Sequence, residues 1–232
     1  MASAAAKQEP RERFLAEDRK SQIVQTVLHL MNERGVDAVS TQLVADTIGR
    51  SQGVVFRHFP TKEALWTSVI EWLRERLETV WAEAREFHDS DKSLKTLERM
   101  FLGHIKLIDK YPGLAKLVMS DHLRHQYPSI NESFRDLHRR YESQVIALLE
   151  EAVRCGIISS TINIPDAATL YFCTIQGLGF QFAIARLRRT QLNADAARLF
   201  ELLMQAFLAS GVAGTRPTSG RPQRASKAQH RH

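Results

Sequence analysis

Residues 40–59 read STQLVADTIGRSQGVVFRHF, and this stretch decides the fold. Ser40 or Thr41 caps a short helix, because a hydroxyl there accepts from N–H groups that lack helical partners. Val44 and Ile48 lie four apart and share an inward face, while Ala45 is small enough for a second helix to pack closely. Gly49 supplies the turn, since the backbone conformation that ends such a helix resists a side chain. Ser51 then caps the second helix, whose Val55 and Phe59 return to the core. Gln52, Gly53, Val54, Phe56 and His58 are left facing outward, at the helix start and along one side. Two short helices crossing over a tight turn in this way form a unit that can present its second helix to base edges and phosphates.

Working outward, apolar residues recur with helical spacing in both directions, and no run shows the alternation of a half-buried strand. A first helix is expected from about Ala16 to Arg34, with Ile23, Val27, Leu30 and Met31 inward and Gly35 as its stop. After Pro60-Thr61 a long helix is expected over about 62–87, then others over 94–110, 114–124, 130–154, 166–188 and 194–210. The expected fold class is therefore all-α, with about nine helices: a three-helix head and a helical body. Four segments follow: a disordered start (1–15), a helix-turn-helix domain (16–62), a ligand-binding and dimerisation domain (63–211) and a disordered basic tail (212–232).

Charge alone does not define the partner. The 232 residues carry a net charge of +6, but Arg216, Arg221, Arg224, Lys227 and Arg231 place most of it in a tail with no acidic residue. The rest of the chain is close to neutral, so binding to nucleic acid has to be argued from the motif rather than from the charge. Nothing approaches the roughly 18 uninterrupted apolar residues of a membrane span, and the N-terminus lacks the apolar run of a secretory signal, so a cytoplasmic protein is expected. Cys155 and Cys173 have no close-spaced partners and sit among apolar residues, so both read as reduced core residues.

Gly35, Thr41, the Val44-Ala45 pair, Gly49, Ser51, Gly53, the run VVFRHF and the following PTKEAL stand in the register of one known group. Over about Arg19 to Leu65 the chain resembles the TetR family of helix-turn-helix repressors. That resemblance implies that Thr41 and Gln42 touch DNA, that Gln52, Gly53 and Val54 approach bases, and that Phe56, His58 and Lys62 lie against the phosphate backbone. It also implies a homodimer on a double-stranded, palindromic operator, released by a small-molecule effector. Two positions depart from the family pattern. Phe56 stands where tyrosine is usual, which removes a phenol hydroxyl from the phosphate contacts, and Arg50 replaces an apolar turn residue and offers a phosphate contact. Arg57 is a further basic candidate.

The body offers aromatic and polar side chains suited to a mostly apolar cavity: Trp81, Phe101, His104, Met119, His122, Tyr127, Phe134, Tyr141, Phe172 and Gln176. His122 and His125 share a helix face with i, i+3 spacing, but Arg124 lies between them and no cysteine is near, so no metal site and no cofactor is assigned. Near the end, Gly177 and Gly179 allow close backbone approach. Leu199, Leu203, Met204, Phe207 and Leu208 line the last helix. Two such helices from each subunit would make a four-helix dimer interface.

No nucleophile elbow, phosphate-cradling loop or metalloprotease helix motif is present, and no carboxylate pair has an evident acid-base setting, so an enzyme is not expected. The remaining alternative keeps DNA binding but replaces the small molecule with a protein partner.

Overall fold

The helical spacing that pervades the sequence resolves, in a computed structural model describing residues 5–86, 92–185 and 189–209, into ten helices and no strand among the described residues. They are α1 (Ala5–Arg34), α2 (Thr41–Thr47), α3 (Gln52–His58), α4 (Lys62–Arg85), α5 (Lys92–Lys110), α6 (Gly113–Met119), α7 (Asp121–Gln126), α8 (Pro128–Arg154), α9 (Ile164–Ala185) and α10 (Arg189–Ala209). The expected tail, 212–232, and the first four residues lie outside the described residues.

Among the described residues, three elements differ from the sequence-based expectation by more than two residues; the last helix, expected from 194, begins at Arg189. The first helix begins at Ala5 rather than near Ala16, through a stretch rich in Ala, Lys, Glu, Arg and Leu, all good helix formers. The helix expected over 114–124 is two helices. Ser120 leaves the helical conformation (ψ 95°) and its hydroxyl accepts from the Leu123 amide at 3.4 Å, ending α6 and capping α7.

In the head, Ile23, Val27, Leu28, Leu30 and Met31 of α1 bury one face against α2 and α3, which contribute Val44, Ala45 and Val55. Removing each large aliphatic side chain from water contributes about 1.5–3 kcal/mol, enough to hold helices of seven residues that would not form alone. Helix α4 belongs to both halves. It starts beside the head, where the Thr61 hydroxyl caps it by accepting from Ala64 N at 3.0 Å, and runs into the body against α5 and α8. Gly103 lets α5 approach α4 closely, since a Cβ there would fall 2.4 Å from Val80 Cγ1.

A second bridge joins head and body. Gly113, the first residue of α6, donates its amide to Asn32 Oδ1 of α1 at 2.7 Å. A Cβ on Gly113 would lie 2.7 Å from Met31 Cβ, so the two backbones meet closer than any other residue type permits.

The last two helices correct the sequence reading of the expected interface. Phe207 is only 3% exposed and Met204 is also buried, so both complete the core of the single chain, against α5 and α9. Leu202, at 61% exposed, and Leu208 occupy the outer face of α10, while Leu170 and Phe180 do so on α9. One turn of a helix faces both ways, so apolar residues on the same helix divide between core and surface. The two glycines divide likewise: a Cβ on Gly177 would meet nothing within 4 Å, whereas one on Gly179 would touch Ile108 and Ala115. Cys155 and Cys173 are free and exposed, not core. Cys173 follows the buried Tyr171-Phe172 pair and so points from the opposite face of α9, and Cys155 lies just past the end of α8.

Candidate nucleic-acid interface and body cavity

The turn between α2 and α3 is built as the local sequence dictates. Ser40 Oγ accepts from Leu43 N at 3.1 Å, and the chain reverses at Gly49, whose φ of +64° is costly for any residue with a side chain. Arg50 N closes the turn on Ala45 O at 2.9 Å. Ser51 occupies the N-cap position of α3, but its side chain makes no capping bond; its backbone carbonyl accepts from Val54 N instead.

With Val55 and Phe59 buried, the rest of α3 faces outward. Phe56 is 41% exposed. Gly53 leaves the start of the helix open, since a Cβ there would meet only Ser51 Oγ, at 3.8 Å. Gln52 Nε2 donates to Thr41 Oγ1 at 2.8 Å, and Gln42 Nε2 donates to Asp46 Oδ1 at 2.7 Å. The Gln52 bond pins the first residue of α3 to the first residue of α2 and leaves the amide oxygen free of that contact. Arg50, Ser51 and Arg57 are exposed, and Lys62 is half-buried at the start of α4.

Packing of α1 across the head adds charges that the sequence reading did not include. Partial burial, and then the nearby Lys20, Arg57 and Arg19, hold the His58 imidazole below its usual pKa, with Glu17 opposing. Arg19 and Lys20 thus lie near His58 at the end of α3, with Lys20 paired to Glu17 at 3.5 Å, although 38 residues or more separate them from it in sequence. A surface with this density of positive charge and an accessible helix start suits a phosphate backbone.

The body holds a cavity of about 400 Å³ lined by α4 to α9, within the size range of small-molecule sites. Leu73 and Leu77 of α4, Leu107 and Ile108 of α5, and Leu114, Ala115 and Val118 of α6 supply apolar walls. Six residues proposed from sequence line it: His104, Met119, Phe134, Tyr141, Phe172 and Gln176. Four do not. Trp81 is buried behind the wall, its ring 5.1 Å from that of Tyr141, and Phe101 packs into the core between Tyr171 and Phe200. His122 is exposed on the outer side of α7, and Tyr127 sits half-buried at the N-cap of α8. Arg124 and His138, by contrast, reach the lining.

Within this cavity the polar groups are unequally satisfied. The Tyr141 hydroxyl donates to Met100 O at 3.4 Å, and burial pushes its pKa up. Arg124 donates to Val118 O and to the Asp121 carboxylate. The buried Nδ1 of His104 has no partner, and burial pushes this imidazole down to about 4, so it is neutral at physiological pH. Among the described residues no three His, Cys, Asp or Glu side chains converge to hold a metal ion, and no helix is long and apolar enough to cross a membrane.

A capped two-helix turn with an open helix start on a basic face defines a helix-turn-helix DNA-binding protein. Residues 23–69 match the family model described as bacterial regulatory proteins, tetR family. Over those residues the chain matches the DNA-binding region of TetR-family transcriptional regulators. It is 26% identical over 138 residues to the nucleoid occlusion factor SlmA of Vibrio vulnificus, an alignment spanning 58% of this chain and 68% of that protein. Among solved structures, a TetR transcription regulator from Haloarcula marismortui superposes with a TM-score of 0.70 at 16% identity, covering 83% of this chain and 99% of that one. The regulator FadR of Bacillus subtilis, solved in complex with stearoyl-CoA, superposes at 0.65 with 17% identity, covering 82% and 97%.

Proposed function

We propose that this regulator is a cytoplasmic, homodimeric repressor that binds an inverted-repeat operator through residues 16–62 and is released when a small molecule fills the cavity in residues 63–211. The observation that carries the reading is the double role of α6. Its Leu114, Ala115 and Val118 wall the cavity, while its first residue is bonded to Asn32 of the head. A ligand that displaces α6 therefore pulls on α1, and through α1 on the recognition helix packed against it. Two recognition helices must meet successive major grooves, so a change of a few ångströms in their separation weakens both contacts together.

In this reading Gln52, Gly53 and Val54 approach base edges. Thr41, Gln42, Arg50, Ser51, Phe56, Arg57, His58 and Lys62 contact the backbone or support those that do, joined by Arg19 and Lys20. Dimerisation uses the outer faces of α9 and α10, where Leu170, Phe180, Leu202 and Leu208 are exposed in the single chain and Gly177 offers a flat approach. The name of the SlmA relatives keeps a second reading in view, regulation by a protein partner. A largely apolar cavity of about 400 Å³ favours the small molecule.

The test is selection of bound sequences from a random DNA pool. An inverted repeat, with half-sites about one helical turn or a multiple apart, is expected. Recovery of no preferred sequence would refute the operator reading.

A further inference from the structure

The cavity contains one conspicuous mismatch. Its walls are mostly aliphatic and aromatic, yet His104 places a neutral imidazole among them with its Nδ1 buried and unpartnered. His104 is half-buried as a residue, and it is its Nδ1 that has given up water without a hydrogen bond in return, which is unfavourable. The neighbouring polar groups do not relieve it. Tyr141 is committed to Met100 O, and Arg124 to Val118 O and Asp121. Around His104 the walls are rings: His104 lies 5.4 Å from Tyr141, Tyr141 meets Phe172 edge-on at 4.9 Å, and Phe172 meets His138 at 4.8 Å.

Aromatic side chains gain from a further ring set offset or edge-on against them, which favours an aromatic, planar occupant. Neutral imidazole offers one donor and one acceptor nitrogen, and a hydroxyl can answer either. At His104 itself a carboxylate would face an uncharged ring, where a neutral hydroxyl is the better match. We propose that the cavity takes a neutral, planar, largely apolar molecule bearing one hydroxyl, a phenol or aromatic alcohol, and that this hydroxyl pairs with His104. The proposal rests on the reading of the cavity as the effector site and names the chemistry of its effector.

Three probes of one shape test it: 2-naphthol, naphthalene and 2-naphthoate, each titrated calorimetrically into the full-length protein. The hydroxyl is expected to give 2-naphthol about fivefold to tenfold tighter binding than naphthalene, the range of one hydrogen bond. It should also exceed 2-naphthoate. In His104→Phe, checked for retained helicity and DNA binding, 2-naphthol should weaken to the level of naphthalene while naphthalene itself is unchanged; His104→Gln, which keeps a donor and an acceptor, should preserve the preference. Strongest binding by 2-naphthoate, equal binding by 2-naphthol and naphthalene, or no heat from any probe would overturn the proposal. If 2-naphthol binds through His104 but leaves affinity for the selected operator unchanged, the ligand class stands and the release reading fails.

Discussion

Replacing Gly113 by alanine probes the junction through which the body is argued to act on the head. The new methyl would lie 2.7 Å from Met31 Cβ, 2.9 Å from Asn32 Oδ1 and 3.0 Å from the Met31 carbonyl carbon. Two of these atoms belong to backbone or Cβ, so no flexible side chain can swing aside. Restoring ordinary contact at 3.4 Å from 2.7 Å requires α1 and α6 to part by about 0.7 Å. That movement stretches the 2.7 Å bond from Gly113 N to Asn32 Oδ1 to about 3.4 Å, beyond useful hydrogen-bond length. Overpacking of this kind costs about 1–3 kcal/mol, and alanine's better helix propensity offsets at most about 1 kcal/mol of it. Asn32→Ala removes the bond without a clash and should cost about 1 kcal/mol. Urea unfolding of both variants should rank Gly113→Ala below Asn32→Ala and Asn32→Ala below wild type, and both should show a smaller effect of cavity ligand on DNA binding. A Gly113→Ala protein as stable as wild type, with ligand response intact, would refute the close junction and its role.

Three further outcomes follow from the site geometry. Gln52→Ala should weaken binding to the selected operator by about 1–3 kcal/mol while sparing random DNA, whereas Lys62→Ala should weaken both and lower the salt slope by about one unit; a binding assay over a salt series separates them. His104 is held at about 4 against 6.5 when unfolded, so the stability tied to its neutral form is complete above pH 6.5 and is lost as pH falls toward 4. Between pH 7.5 and 4.5 the wild type should therefore lose about 2.5 kcal/mol more than His104→Phe in urea unfolding, and equal losses would mean that burial does not hold this group neutral. Leu202→Lys should give folded monomers in sedimentation, because Leu202 is exposed in the single chain, while Phe207→Asp should unfold the protein, because Phe207 is 3% exposed within it.

The head was legible because its constraints are local. Gly49 at positive φ, Ser40 capping three residues on and Val44, Ala45 and Val55 turning inward all follow from spacing within twenty residues. What escaped there depends on packing: Arg19 and Lys20 read as ordinary solvated charges until α1 lays them beside His58. The cavity was half legible for a related reason. Polar and aromatic residues such as His104 and Tyr141 stand out against a helix face, but Leu73, Leu77 and Ile108 look in sequence like any core residue, and only the gap between helices distinguishes them. Phe207 and Leu202 show the same limit in the last helix. Both are apolar and five apart, and burial on opposite sides separates a core anchor from a surface residue.

The central claim is that the cavity and the DNA-binding face work against each other, and linkage makes that claim measurable. Calorimetric titration of 2-naphthol into the free protein, and into protein saturated with its selected inverted repeat, tests it most directly. The DNA should weaken 2-naphthol by the same factor by which 2-naphthol weakens the DNA, each tenfold corresponding to about 1.4 kcal/mol of coupling. Equal affinity of 2-naphthol in the two titrations would contradict it.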